Sequence, residues 1–74
     1  GAISVYSTPS EAQIFINGNK VGTTPLVAYP LVSDEEKVDI ILIKEGYQLK
    51  SQVVNFKPNQ SLEPLNFKLI KTEP

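Results

Sequence analysis

No cysteine, histidine, methionine, tryptophan or arginine occurs in this chain. Without cysteine it forms no disulfide, and without cysteine and histidine it offers no soft-metal site of the zinc type. Nucleophilic catalysis needs a serine, threonine or cysteine beside a base, and only serine–lysine or carboxylate pairings remain here. Nothing at the seven lysines marks a buried base, so the reading is non-catalytic, with no cofactor. Lack of arginine, a net charge of −1 and dispersed lysines argue against nucleic acid, which favours a basic stripe. The longest aliphatic run, residues 40–43, falls far short of the ~20 residues of a spanning helix.

Seventy-four residues allow one domain, 1–74. A chain this short buries only about 60% of its unfolded surface, so its core is marginal. Small scaffolds without a disulfide or metal rely on sheet packing or on neighbours. The chain starts without methionine, and Gly1-Ala2 reads as a cloning scar on a domain excised from a longer multidomain protein. Residues 72–74 read as a tail or the start of a linker.

What is present is strand signal. Ile3 and Val5 alternate with Ser4 and Tyr6, Ile14 and Ile16 with Gln13 and Phe15, and Leu65, Phe67 and Leu69 with Asn66 and Lys68. That is the period of half-buried strands. Residues 38–43 place Val38, Ile40 and Leu42 on one face and Ile41 and Ile43 on the other, as expected of a central strand covered on both faces. Between Tyr47 and Phe56 the apolar phase shifts, which predicts a bulge near Ser51 or Gln52. No segment carries a helix. The nearest candidate is a short turn over 33–37, capped by Ser33. Six prolines punctuate the chain, and turn signals recur about every ten residues, so the expected fold is all-β, a small antiparallel β-sandwich.

Residues 7–26 hold the densest turn chemistry. Asn17-Gly18 is a strong hairpin signal, because a type I′ turn needs positive φ at both positions. Asn19 leaves a G1-bulge variant open. The Gly18–Gly22 spacing lacks the Gly-Lys-Ser/Thr ending of a phosphate loop, and no helix comes after it. Gly22 closes the second strand of the hairpin, Thr24-Pro25 redirects the chain, and Pro9 turns it upstream.

These residues carry a resemblance. Pro9-Ser10-Glu11-Ala12, then Ile14-Phe15-Ile16-Asn17-Gly18-Asn19-Lys20-Val21-Gly22, Thr24-Pro25-Leu26 and a later Gly46-Tyr47 resemble the PEGA domain family. Glu11 stands where the family motif has glycine, which argues against a positive-φ backbone there. The resemblance implies a small sandwich similar to prealbumin-like and carboxypeptidase regulatory-like folds. It further implies an accessory module, often in tandem, in bacterial and archaeal surface proteins and lipoproteins or beside extracytoplasmic segments of kinases. It transfers no catalytic residues.

Three roles are expected on these grounds: an interaction or spacer module of a cell-surface or periplasmic protein, a carbohydrate- or cell-wall-binding module, or an extracytoplasmic sensor domain of an enzyme or kinase. Expected partners are neighbouring domains, other surface proteins or wall polysaccharide, with the isolated domain monomeric. Among the aromatics Tyr6, Phe15, Tyr29 and Tyr47, the last suits core closure at a strand start. Tyr6 and Phe15 point away from their strands' aliphatic faces and would form one interaction patch if the first two strands pair. Asp34, Glu35 and Glu36, with Asp39, match no calcium loop and read as solvated. Asn59-Gln60-Ser61 satisfies a glycosylation sequon but reads as chance, since Lys57-Pro58-Asn59 is turn-forming by itself.

Overall fold

The computed structural model describes residues 2–31, 37–55 and 63–72. The acidic run 34–36 with its Ser33 cap, Phe56 and the sequon 59–61 lie outside the described residues. Seven strands form two sheets: β1 Ala2–Thr8, β2 Gln13–Ile16, β3 Asn19–Thr23, β4 Leu26–Pro30, β5 Lys37–Ile43, β6 Lys50–Asn55 and β7 Leu65–Lys68. One sheet has the order β4-β1-β7 and the other β3-β2-β5-β6. The described chain is all-β, a small sandwich.

The apolar faces of the inner strands β1, β2 and β5, with the edge strand β7, supply the core. Ile3 and Val5 of β1, Ile14 and Ile16 of β2, Val38, Ile40 and Leu42 of β5, Phe67 of β7 and the nearby Leu69 are buried together with Ala12. Each such aliphatic side chain contributes about 1.5–3 kcal/mol by leaving water. Val21, Leu26, Tyr29, Val54 and Leu65 on edge strands, with Leu31 and Tyr47, are half-buried around this cluster.

Three expectations need correction. Residues 38–43 do form an inner strand, but among the described residues no layer covers its second face: Ile43 is 39% exposed and Ile41 only partly buried. A central place between β2 and β6 pairs the strand on both edges, in the plane of the sheet, and does not by itself cover its outer face. No bulge occurs at Ser51 or Gln52. The β5–β6 ladder runs unbroken from Lys37↔Asn55 to Leu42↔Lys50. The apparent phase shift arises because Leu49 and Val53 are 60% and 59% exposed. The antiparallel pattern has one exception, since β7 lies parallel to β1, with Val5↔Leu65 through Thr8↔Lys68 in register.

Real irregularities sit on two edge strands. Between Ile3↔Tyr29 and Val5↔Leu26, β4 has one more residue than β1, and between Ile14↔Gly22 and Phe15↔Lys20, β3 has one more than β2. Ala28 in the β4 bulge takes φ 52°, and its N–H donates to Ser4 Oγ at 2.9 Å.

The one-faced character of β5 gives a direct contrast within a single strand. Ile40→Ala should cost about 2–5 kcal/mol through lost burial and a cavity. Ile43→Ala on the outward face should cost less than about 1 kcal/mol. Urea midpoints of the two variants measure the difference, and equal losses would mean that both faces are packed.

Candidate functional site

Ser7, Pro9, Glu11, Ala12 and Thr24 converge on one corner. Ladder pairing Gln13↔Thr23 continues into Ala12 and Thr24, where Thr24 N–H donates to Ala12 O at 2.9 Å. Glu11 N–H donates to Thr24 O at 3.0 Å, and Ala12 N–H donates to Thr24 Oγ1 at 2.9 Å. Two successive N–H groups thus reach two oxygens of one residue. Successive N–H groups converge in this way where one residue adopts a left-handed backbone. Glu11 does so, with φ 66°. This corrects the expectation that a residue other than glycine would avoid positive φ here.

The hydroxyls have only one self-consistent direction. Ser7 Oγ donates to Pro9 O at 2.7 Å, so its contact of 2.7 Å with Thr24 Oγ1 must be accepted by Ser7. Thr24 therefore donates to Ser7 and accepts from Ala12. The proton chain runs from Ala12 N–H through Thr24 and Ser7 to Pro9 O. Thr24 is 1% exposed, and among the described residues no buried side-chain nitrogen or oxygen lacks a partner. The peptide bonds Thr8-Pro9 and Thr24-Pro25 are both cis. The Thr24 hydroxyl thus both donates and accepts within the corner.

At the opposite end, Asn17 and Gly18 take φ of 49° and 86°, the pair a type I′ turn demands. Asn19 already pairs with Ile16, so the loop has two residues and the extra residue lies further along β3. Asn17 N–H donates to Asp39 O at 2.8 Å, and Asp39 N–H donates to Asn17 Oδ1 at 2.9 Å. The turn tip is thereby fastened to β5. Gly46 takes φ 85° in a turn closed by Tyr47 N–H to Lys44 O at 3.0 Å, and Tyr47 forms a bridge with Lys71.

Tyr6 and Phe15 do not form one patch. Their strands belong to different sheets, so β1 and β2 do not pair. Each side chain lies opposite its strand's buried residues, which puts Tyr6 and Phe15 on the two outer faces of the sandwich. Phe15 has Lys20 and Ile41 as cross-strand neighbours. With Ile43 and the exposed Val53 it makes an apolar strip on the outer face of the four-stranded sheet. The signal for that strip was the second phase of β5, Ile41 and Ile43, which sequence reasoning assigned to a covering layer.

A shallow cleft of about 220 Å³ opens between the β2–β3 hairpin and the end of β4. Ile16, Val21, Tyr29 and Leu31 form its apolar wall, and Asn17 and Asn19 its amide rim. Ligand pockets usually hold roughly 300–1,000 Å³, so the cleft is small for one. No group of three or more acidic side chains among the described residues could hold a metal ion.

Compared with known families, the chain matches the PEGA domain model over residues 1–72. No curated protein and no solved structure matches it.

Two substitutions test the corner. Thr24→Val keeps shape but strands Ala12 N–H, at a cost of about 1–3 kcal/mol, whereas Thr24→Ser keeps the hydroxyl and should lose about 1 kcal/mol for one carbon. Glu11→Gly removes left-handed strain of about 1–2 kcal/mol against a glycine entropy cost of about 0.5–1 kcal/mol. It should therefore raise the melting temperature by a few degrees. A lowered melting point would show that the Glu11 side chain itself holds the turn.

Proposed function

The chain belongs to the PEGA domain family, and from that membership we propose that it is a non-catalytic linking module of a cell-surface or periplasmic protein. The family is generally extracytoplasmic, which supports that placement. One observation carries the linking role. Because β7 runs parallel to β1, the described chain begins beside Ala2 at one end and leaves past Thr8 at the other, through residues 69–72. The molecule is elongated, 43 × 18 × 16 Å, with radius of gyration 12.2 Å. A module threaded end to end sets a distance between the segments on either side of it, whereas one with both ends together hangs from a chain as a side branch.

Its partners on this reading are neighbouring domains of the same chain, with the isolated module monomeric. The outer faces around Tyr6 and Phe15 are where contacts to other surface proteins would fall. A glycan-binding role would have the cleft beside Tyr29 as its place, and the small volume of that cleft weighs against it.

The test is a replacement within the longer protein. Deleting the module should impair the parent protein's function, and an unrelated sandwich of equal length should restore it. Restoration by this sequence alone, lost on Tyr6→Ser or Phe15→Ser without unfolding, would instead assign a specific recognition role. A glycan array with the isolated module is expected to be blank.

A further inference from the structure

The two strands at the ends of the described chain are hydrogen-bonded neighbours that run in the same direction. Pulling the chain from its ends therefore draws β1 back along its own axis and β7 forward along its axis. Adjacent strands displaced oppositely along their length load every bond between them together, in shear. From this geometry we propose that the β1–β7 pair is a mechanical clamp and that the module resists tension applied along its chain. The biological use of the clamp rests on the linking role, but the clamp itself is a property of the fold.

Several features make the clamp more than two strands in register. Leu69 N–H donates to Thr8 O at 2.9 Å, and strand periodicity gives Leu65 and Phe67 the same orientation toward β1. Phe67 and Leu69 also bury their side chains in the core, so sliding β7 along β1 would drag both out of it in the same step. Beyond β7 the exit is fastened to the other sheet. Gln48 N–H donates to Ile70 O at 2.7 Å, Thr72 N–H donates to Gly46 O at 3.0 Å, and Thr72 Oγ1 donates to the same carbonyl at 3.2 Å. Tension at Thr72 therefore reaches the turn between β5 and β6 as well as β1. On its other side β1 is held by β4, and it is the inner strand of its sheet.

The antiparallel side of β1 supplies an internal comparison. Ala2 pairs with Pro30, and pulling those two residues apart opens the β1–β4 ladder from its end, one bond at a time. Forced unfolding is governed by the unfolding rate along the pulled direction rather than by equilibrium stability. One folded state should thus show two resistances.

Because the chain has no cysteine, paired cysteines give unique attachment points. The double variants Ala2→Cys with Thr72→Cys, and Ala2→Cys with Pro30→Cys, are stretched in optical tweezers at the same loading rate. The first pair should rupture at a force several-fold above the second. A rupture force across 2 and 72 equal to or below that across 2 and 30 overturns the clamp. That result would leave the linking role to the replacement experiment, which does not depend on force.

Discussion

The hydroxyl of Thr24 is the contact on which the rest of the fold leans. The chain passes between sheets twice in its first thirty residues, from β1 to β2 and from β3 to β4. Both crossings occur at the same end of the sandwich, and Thr24 ties one to the other through its N–H, its carbonyl and its side chain. Ser7 and Pro9 belong to the first crossing, and Thr24 to the second. Breaking this knot would free two crossings together, and with them the relative position of the sheets. Its central bond, Ala12 N–H to Thr24 Oγ1, is buried and the two Ser7 bonds partly so, an environment where hydrogen bonds polarise one another and an unmade one is costly. This also explains why a family motif resides in turns: Pro9, Ala12, Thr24 and Pro25 together build one corner.

A core assembled from inner strands is the consequence of that arrangement. β1 is inner in the three-stranded sheet, and β2 and β5 are inner in the other. These three supply seven of the buried aliphatic residues, Ile3, Val5, Ile14, Ile16, Val38, Ile40 and Leu42. Of the four edge strands, β3, β4 and β6 cover the margins with half-buried side chains, whereas β7 adds the buried Phe67 to the core. Lys20 and Lys50 stand on two of these edges, and bulges interrupt two of them, both devices that discourage another strand from adding on. A chain with no disulfide keeps its stability in a narrow central band of residues.

That division decides what could be read in the sequence. Local signals were legible: the Asn17-Gly18 turn, the Thr24-Pro25 corner, and the alternation that put Ile3, Val5, Ile14 and Ile16 inside. Period-two alternation says which residues share a face but not what lies over that face. Ile41 and Ile43 were therefore assigned to a covering layer that the described residues do not supply, and the exposed Val53 and Leu49 mimicked a bulge. Strand pairing is non-local, so the parallel partnership of β1 with β7 and the separation of Tyr6 from Phe15 left no mark in the spacing. Glu11 was hidden for an energetic reason. A left-handed residue other than glycine costs about 1–2 kcal/mol, and two hydrogen bonds to Thr24, each worth about 0.5–1.5 kcal/mol, offset it. A rule based on local cost alone misses a compensation supplied by a residue thirteen positions away.

The end of β1 joins two kinds of stability in adjacent residues. Ser7 turns its hydroxyl to the Thr24 knot, and Thr8 turns its carbonyl to Leu69 just beyond β7. The first contact holds the sheets in place at equilibrium. The second belongs to the terminal pair that tension would load. The two contacts leave the strand through different groups, so they are separable by chemistry although one residue apart. Side-chain replacement at Ser7 reaches only the knot, whereas the Thr8 bond is main-chain and survives any side-chain change that preserves the strand. Selection on this module could therefore vary its turn motif and its thermal stability while leaving intact the backbone pairing that resists force. Conversely, a loss in the knot that loosens the end of β1 would let the terminal pair begin to peel from its Thr8 end, and the shear geometry would be lost there first.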